Sequence, residues 1–267
     1  MRPTFGREYI ENEFKRIADG LSDKLTVYLI GGGAMSLRDL KGATKDIDLV
    51  VADGDAYGQL WAVLMDLGYA EIQSLDADYR ALGATSCVEN ADRCRIDIFN
   101  QQVANKLVLT EGMRERSESF LATDQLTVRL VSNEDIFLFK SVAGRDDDIE
   151  DMNMLVQTGL NYDVVRGELE AQIDCLGDDQ FATFTNEALV DLEEQYGVTT
   201  PIEDRVQELT NRYYRGLEIL QILDEPMTVD ELAADLHLEI TEIRERISYL
   251  EEFDRVIWDD KSVCLVE

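Results

Sequence analysis

Three consecutive glycines, Gly31, Gly32 and Gly33, stand shortly before Asp46-Ile47-Asp48-Leu49-Val50-Val51, and these two stretches hold the residues best suited to chemistry. Glycines that follow a strand leave backbone N–H groups uncovered by any Cβ, which suits the close approach of a phosphate. Asp46 and Asp48 alternate with Ile47 and Leu49, so on a strand both carboxylates fall on one face and the apolar pair on the other. Two adjacent carboxylates repel, and a divalent cation relieves the repulsion. Magnesium prefers hard oxygen ligands and keeps part of its shell for water and phosphate, so it fits an open Asp pair better than a closed cage. Asp97, within Arg95-Ile96-Asp97-Ile98-Phe99, occupies a similar setting. If its strand lies beside that of Asp46, three carboxylates gather around two ions, the arrangement for in-line displacement at phosphorus.

The elements that must position these residues are legible in outline. Glu8 to Leu21 has apolar residues at helical spacing, and Leu25 to Ile30 is a short strand that runs into the glycines. Ala34 to Leu40 reads as a short helix, Ile47 to Val51 as a second strand, and Tyr57 to Gly68 as a helix closed by its glycine. A strand over Arg95 to Phe99 has an expected partner over Ala81 to Val88. Ser132 with Asp135 has the form of a capping box and opens a helix from Asn133 to Gly144. Two or three further helices fill Asp148 to Gln195, with breaks near Gly159 to Asn161 and Gly177 to Asp179. Thr199 to Pro201 reads as a linker. Beyond it come helices over Ile202 to Leu223, Thr228 to Leu236 and Thr241 to Phe253, then a hairpin of Arg255 to Trp258 and Val263 to Val266. Three helices and a hairpin describe a winged helix-turn-helix with 241–253 in the recognition position. The expected divisions are 1–160, 161–201 and 202–267.

Composition narrows the setting. The chain has 267 residues, 45% of them apolar, with 56 acidic against 25 basic residues and a formal charge of -31. The acids are interleaved with periodic apolar residues, so they read as a solvated coat on a folded protein. Seven of the basic residues are Lys. Acid excess with few lysines suits a very salty cytoplasm, where a Debye length of about 3 Å removes most of the self-repulsion. A haloarchaeal, cytoplasmic protein is therefore expected. Cys87, Cys94, Cys175 and Cys264 form no CxxC pair, and His237 is the only histidine, so a zinc site is excluded and free buried thiols are expected. No run approaches the roughly 20 apolar residues of a membrane span.

A strand, Gly-Gly, Asp-x-Asp on the next strand and a third Asp on a later one resemble the DNA polymerase beta type nucleotidyltransferase superfamily. Gly32-Gly33, Asp46-Ile47-Asp48 and Asp97 stand on the positions of that pattern. The likeness covers roughly residues 20 to 160. Ser132 to Asp151, with Glu134-Asp135, Lys140 and the run Ala143 to Asp148, resembles the helix after the core in minimal and toxin–antitoxin type prokaryotic members. The resemblance implies an α+β fold, a mixed sheet flanked by helices, and two Mg2+ ions held by Asp46, Asp48 and Asp97. It further implies transfer of a nucleoside monophosphate from a nucleoside triphosphate to a hydroxyl acceptor on RNA, a protein or a small molecule. Gly32 and Gly33 are the expected nucleotide-binding turn. Ser36 either touches phosphate or only begins the short helix, and Lys140 either reaches outward or points to the triphosphate. Lys41 and Lys45 precede the Asp pair and could steer it. Arg145, Asp148 and Asp151 read as helix-surface pairs.

Competing motifs fail on spacing. Gly31 to Ser36 lacks the last glycine of a dinucleotide fingerprint, and no Gly-Lys-Ser/Thr follows for a Walker loop. A second function class stays open. The chain could be a DNA-binding winged-helix regulator or antitoxin whose front domain only senses a nucleotide. The acids around Arg244 and Arg246 argue against strong phosphate affinity in dilute salt, and a protein partner or dimer contact for the winged helix is the other reading.

Overall fold

The computed structural model describes residues 2–72, 83–259 and 261–266. The chain begins with α1 (Arg7–Gly20), β1 (Leu25–Ile30), α2 (Gly31–Leu37), β2 (Asp46–Val51), α3 (Gly54–Asp66) and β3 (Ala70–Glu71). It continues with β4 (Ser86–Glu89), β5 (Arg95–Asn100), β6 (Gln102–Val103), β7 (Leu107–Val108), α4 (Glu111–Arg116), β8 (Glu118–Ala122) and β9 (Leu126–Leu130). The helices α5 (Asn133–Ala143), α6 (Asp146–Val156), α7 (Tyr162–Leu176) and α8 (Phe181–Tyr196) follow. The last elements are α9 (Glu203–Ile222), α10 (Val229–Leu236), α11 (Ile240–Glu252), β10 (Val256–Trp258) and β11 (Val263–Leu265). The expected strand from Ala81 pairs over Ser86–Glu89, and its first two residues lie outside the described ones.

Seven strands form one mixed sheet in the order β3-β4-β5-β2-β1-β9-β8. β2 lies at its centre, antiparallel to β1 and parallel to β5. That position explains its composition: Ile47, Leu49, Val50 and Val51 are fully buried, as a strand with neighbours on both sides requires. Helices α1 and α3 pack together and against the sheet, while α5 packs on α2, α6, α7 and α8. The result is the mixed sheet flanked by helices expected of a nucleotidyltransferase fold.

Caps fix where the helices begin and end. The Ser132 side chain accepts from the Asp135 N–H at the start of α5, and Gly144 closes that helix in the left-handed region at φ 64°. Thr228 and Glu231 make a capping box at α10. The stretch 101–131 gives short strands, α4 and the β8–β9 hairpin, and β9 joins the sheet parallel to β1.

Helices α7 and α8 do not form a separate layer. Their Val165, Leu169, Leu189 and Leu192 belong to the same core as the sheet, and this core reaches Leu209 on α9. A second core begins on the same helix at Ile219 and gathers Leu223, Leu232, Ile243, Ile247, Leu250, Val256 and Val263. α9 is thus shared between the two cores, and no gap in packing falls at 160 or 201. α9 and α11 approach closely at Gly216, where an added Cβ would lie 2.6 Å from the Tyr249 ring. Asp179 ties the two parts together, accepting from both Arg212 and Tyr249. Of the four thiols, Cys87 and Cys94 are buried as expected, Cys264 is partly buried, and Cys175 is exposed near the end of a polar helix face. Among the described residues no helix is long and apolar enough to cross a membrane.

Candidate active site

One cleft of about 470 Å³ opens where β2 and β5 meet the loop before β2 and the α5–α6 corner. Its strand wall follows from pairing. β2 and β5 run in parallel register with Asp48 opposite Asp97 and Asp46 opposite Arg95. Alternation then places all four side chains on one face, and Asp46, Asp48 and Asp97 all line the cleft. Arg95 donates to Asp97 at 2.5 Å, and Arg2 pairs with Asp46 at 2.5 Å. Arg2 is brought there by a β-bridge between Phe5 and Thr44.

The glycine turn is filled more than its sequence predicts. Helix α2 starts at Gly31 rather than Ala34, so the three glycines form its first turn. Gly31 has φ +62°, and a Cβ there would sit 2.3 Å from Asp48 Oδ2, so this glycine gives room to a carboxylate. A Cβ on Gly33 would meet Leu29, which makes Gly33 a packing position between α2 and β1. Gly32 alone of the three lines the cleft, 3.0 Å from Thr44 Oγ1 at its missing Cβ. Ser36 is buried on α2 and is not part of the cleft lining.

Facing the strands is a wall of paired charges. Lys140 on α5 is buried and donates to Asp148 at 2.6 Å and to Asp151 at 2.8 Å. Arg145 bonds Asp148 at 2.7 Å, and Lys41 from the loop before β2 pairs with Asp151. Lys140 therefore neither reaches out to solvent nor stands alone. The expected pair of Arg145 with Asp148 forms, but Asp148 and Asp151 are 0% and 1% exposed, so these carboxylates are buried in the site and do not lie on the helix surface. They sit on the buried stripe of α6 with Ile149, Met152 and Leu155. That position on the stripe is the signal that distinguishes them from the many solvated acids of the chain.

The two walls titrate differently. Desolvation, then Asp97 and Asp46, push the Asp48 carboxyl up to about 7. Burial also raises Asp97, although Arg95 pulls it down. Burial alone would raise Asp148 and lower Lys140. Their mutual attraction outweighs it, so Asp148 lies below the usual carboxylate range and Lys140 above the usual lysine value. Among the described residues no three His, Cys, Asp or Glu side chains form a preformed metal cage. The donor set nonetheless fits a hard divalent cation, because Asp48 is opposed by two carboxylates that Arg2 and Arg95 only partly neutralise.

The family model described as a nucleotidyltransferase of unknown function (DUF6036) matches residues 9–187. The chain belongs to this family. The match takes in the whole sheet, the three carboxylates, and both α5 and α6 of this nucleotidyltransferase. No curated protein matches the chain. Sequence reasoning missed Asp148 and Asp151 as parts of the cleft, and Arg2 as the partner of Asp46. Arg2 carries no local signal, since only the Phe5–Thr44 bridge brings it to the site.

Proposed function

We propose that this cleft transfers a nucleoside monophosphate from a nucleoside triphosphate to a hydroxyl acceptor, with Asp46, Asp48 and Asp97 as ligands of two Mg2+ ions. The observation that carries this reading is the register of β2 and β5, which sets Asp48 beside Asp97 with Asp46 on the same face. Bound magnesium would supply charge neutralisation of the triphosphate and a lowered pKa for the acceptor hydroxyl. Asp46 and Asp48 would hold the ions from β2, and Asp97 would hold from β5 the one that lowers the pKa of the acceptor hydroxyl. Lys140, kept charged by Asp148 and Asp151, stands with Lys41 and Arg145 on the opposite side of the cleft, three cations against two carboxylates. Changing Asp46 and Asp48 together to Asn should abolish magnesium-dependent incorporation of label from a triphosphate, and activity that survives the double change removes the assignment.

A second reading concerns the C-terminal part, taken as a domain over 202–267, from α9 onward. Three helices, a hairpin and the bridge from Met227 to Val263 support a winged helix with α11 in the recognition position. Its exposed side carries Glu245 and Arg244, while Arg246 is buried and held by Glu218 and Glu242. That balance favours a protein contact over a DNA duplex. Gel shifts of the full chain in molar KCl test it, since duplex binding there would restore the regulator or antitoxin reading. The acid excess supports a salt-rich cytoplasm, and melting temperature against KCl tests that: equal stability in low salt would not fit.

A further inference from the structure

The glycine turn brings no side-chain charge of its own to the cleft. Asp48 occupies the space over Gly31 and Leu29 the space over Gly33, so two of the three glycines serve the protein's own side chains. Beyond the turn's backbone N–H groups, a polyphosphate in this cleft needs a cationic grip. The opposite wall offers one, because Lys41, Lys140 and Arg145 line the same cleft.

These cations are anchored from behind. Asp148 and Asp151 are fully buried, and each holds two of them: Asp148 holds Lys140 and Arg145, and Asp151 holds Lys140 and Lys41. An ammonium has three N–H donors. Lys140 commits two to its carboxylates, whereas Lys41 makes an ion pair with Asp151 alone and keeps partial exposure at 29%. Lys41 thus has donors to offer an incoming anion without leaving its anchor. Its loop is fixed at the far end by the Phe5–Thr44 bridge, which holds it against the cleft.

We infer that the polyphosphate of the substrate is bound on this cationic wall, with Lys41 as the principal side-chain contact and Lys140 behind it. This deepens the transferase reading and rests on it for the identity of the substrate as a triphosphate. Asp151 is a positioning residue in this scheme: it sets the spacing of two lysines that come from different elements.

The test is calorimetric titration of inorganic tripolyphosphate with magnesium into the full chain, alongside label transfer from a nucleoside triphosphate. Loss of one charge-assisted contact corresponds to roughly tenfold or more in affinity, so Lys41→Met should weaken tripolyphosphate binding by at least about that factor. Lys41→Arg should recover most of it, and Lys24→Met, at an exposed lysine outside the cleft, should change it by less than about threefold, below one such contact. Melting temperatures close to wild type for Lys41→Met would show that the loss is not unfolding. Binding unaffected by Lys41→Met, or weakened as much by Lys24→Met, overturns the inference, as does a wild-type chain that does not bind tripolyphosphate, whether or not it transfers nucleotide. Lys41-dependent binding in a chain with no transfer activity supports the cationic wall and removes only the transferase reading.

Discussion

The strand wall and the helix wall of the cleft hold their charges by opposite means. On the strands, Asp48 and Asp97 are placed by backbone pairing and alternation, and their carboxylates sit close together despite mutual repulsion. On the helix side, Lys41, Lys140, Asp148, Asp151 and Arg145 form a chain of alternating sign in which each group holds the next. Removing a strand carboxylate relieves repulsion and leaves the backbone ladder intact. Removing a helix-wall carboxylate strands a buried cation. The first wall is therefore built to receive charge, and the second is already satisfied and lends its outer donors.

The largest effect expected from this contrast is on stability. Asp148→Ala leaves buried Lys140 short of a partner, and breaking such a pair costs on the order of 3–5 kcal/mol. Chemical denaturation should show that loss, while Asp48→Asn should leave stability equal to wild type or higher near neutral pH. Equal destabilisation by both changes would erase the distinction between the walls. Gly31→Ala comes next. The strained backbone costs about 1–3 kcal/mol, and the new methyl must displace Asp48 Oδ2 from a point 2.3 Å away. Activity should fall in Gly31→Ala, and activity equal to wild type would show that the room this glycine gives Asp48 is not what the site needs.

A gentler probe is pH. With Asp48 pushed up to about 7, the folded chain keeps a proton that the unfolded chain releases near the ordinary carboxylate pKa of about 4. Stability contributed by this group is present below that ordinary value and is lost as pH rises from about 4 to about 7. Melts without divalent ions should show a downward slope across that window that Asp48→Asn reduces. Identical slopes for the two proteins would mean that Asp48 is not the proton holder. The smallest effect belongs to Arg2→Ala. Its pair with Asp46 is partly exposed at 24% and 16%, so stability should change by less than about 1 kcal/mol, as for other solvent-screened pairs.

The same contrast explains what the sequence made legible. β2 and β5 could be read from alternation alone, because a strand face is a local property of residues two apart. The helix wall is tertiary. Arg145, Asp148 and Asp151 have the spacing of solvated pairs, and in a chain with 56 acids only their place on the apolar stripe of α6 marks them as buried. The glycines were visible as a turn, but Gly31 is needed for Asp48, a residue on the next strand, and no local pattern carries that. Strand β9, with Leu126, Val128 and Leu130 buried in alternation, was readable by the same rule as β2. Its place beside β1 depends on a parallel crossover that a local reading does not supply.

The claim at the centre of this account is that the three strand carboxylates hold divalent cations against a triphosphate. Crystals grown with Mn2+ and a non-hydrolysable nucleoside triphosphate, measured at the manganese edge, address it directly. The account predicts anomalous peaks bounded by Asp46, Asp48 and Asp97, with the phosphate tail reaching Lys41. A triphosphate ordered in the cleft with no peak at those carboxylates would contradict it.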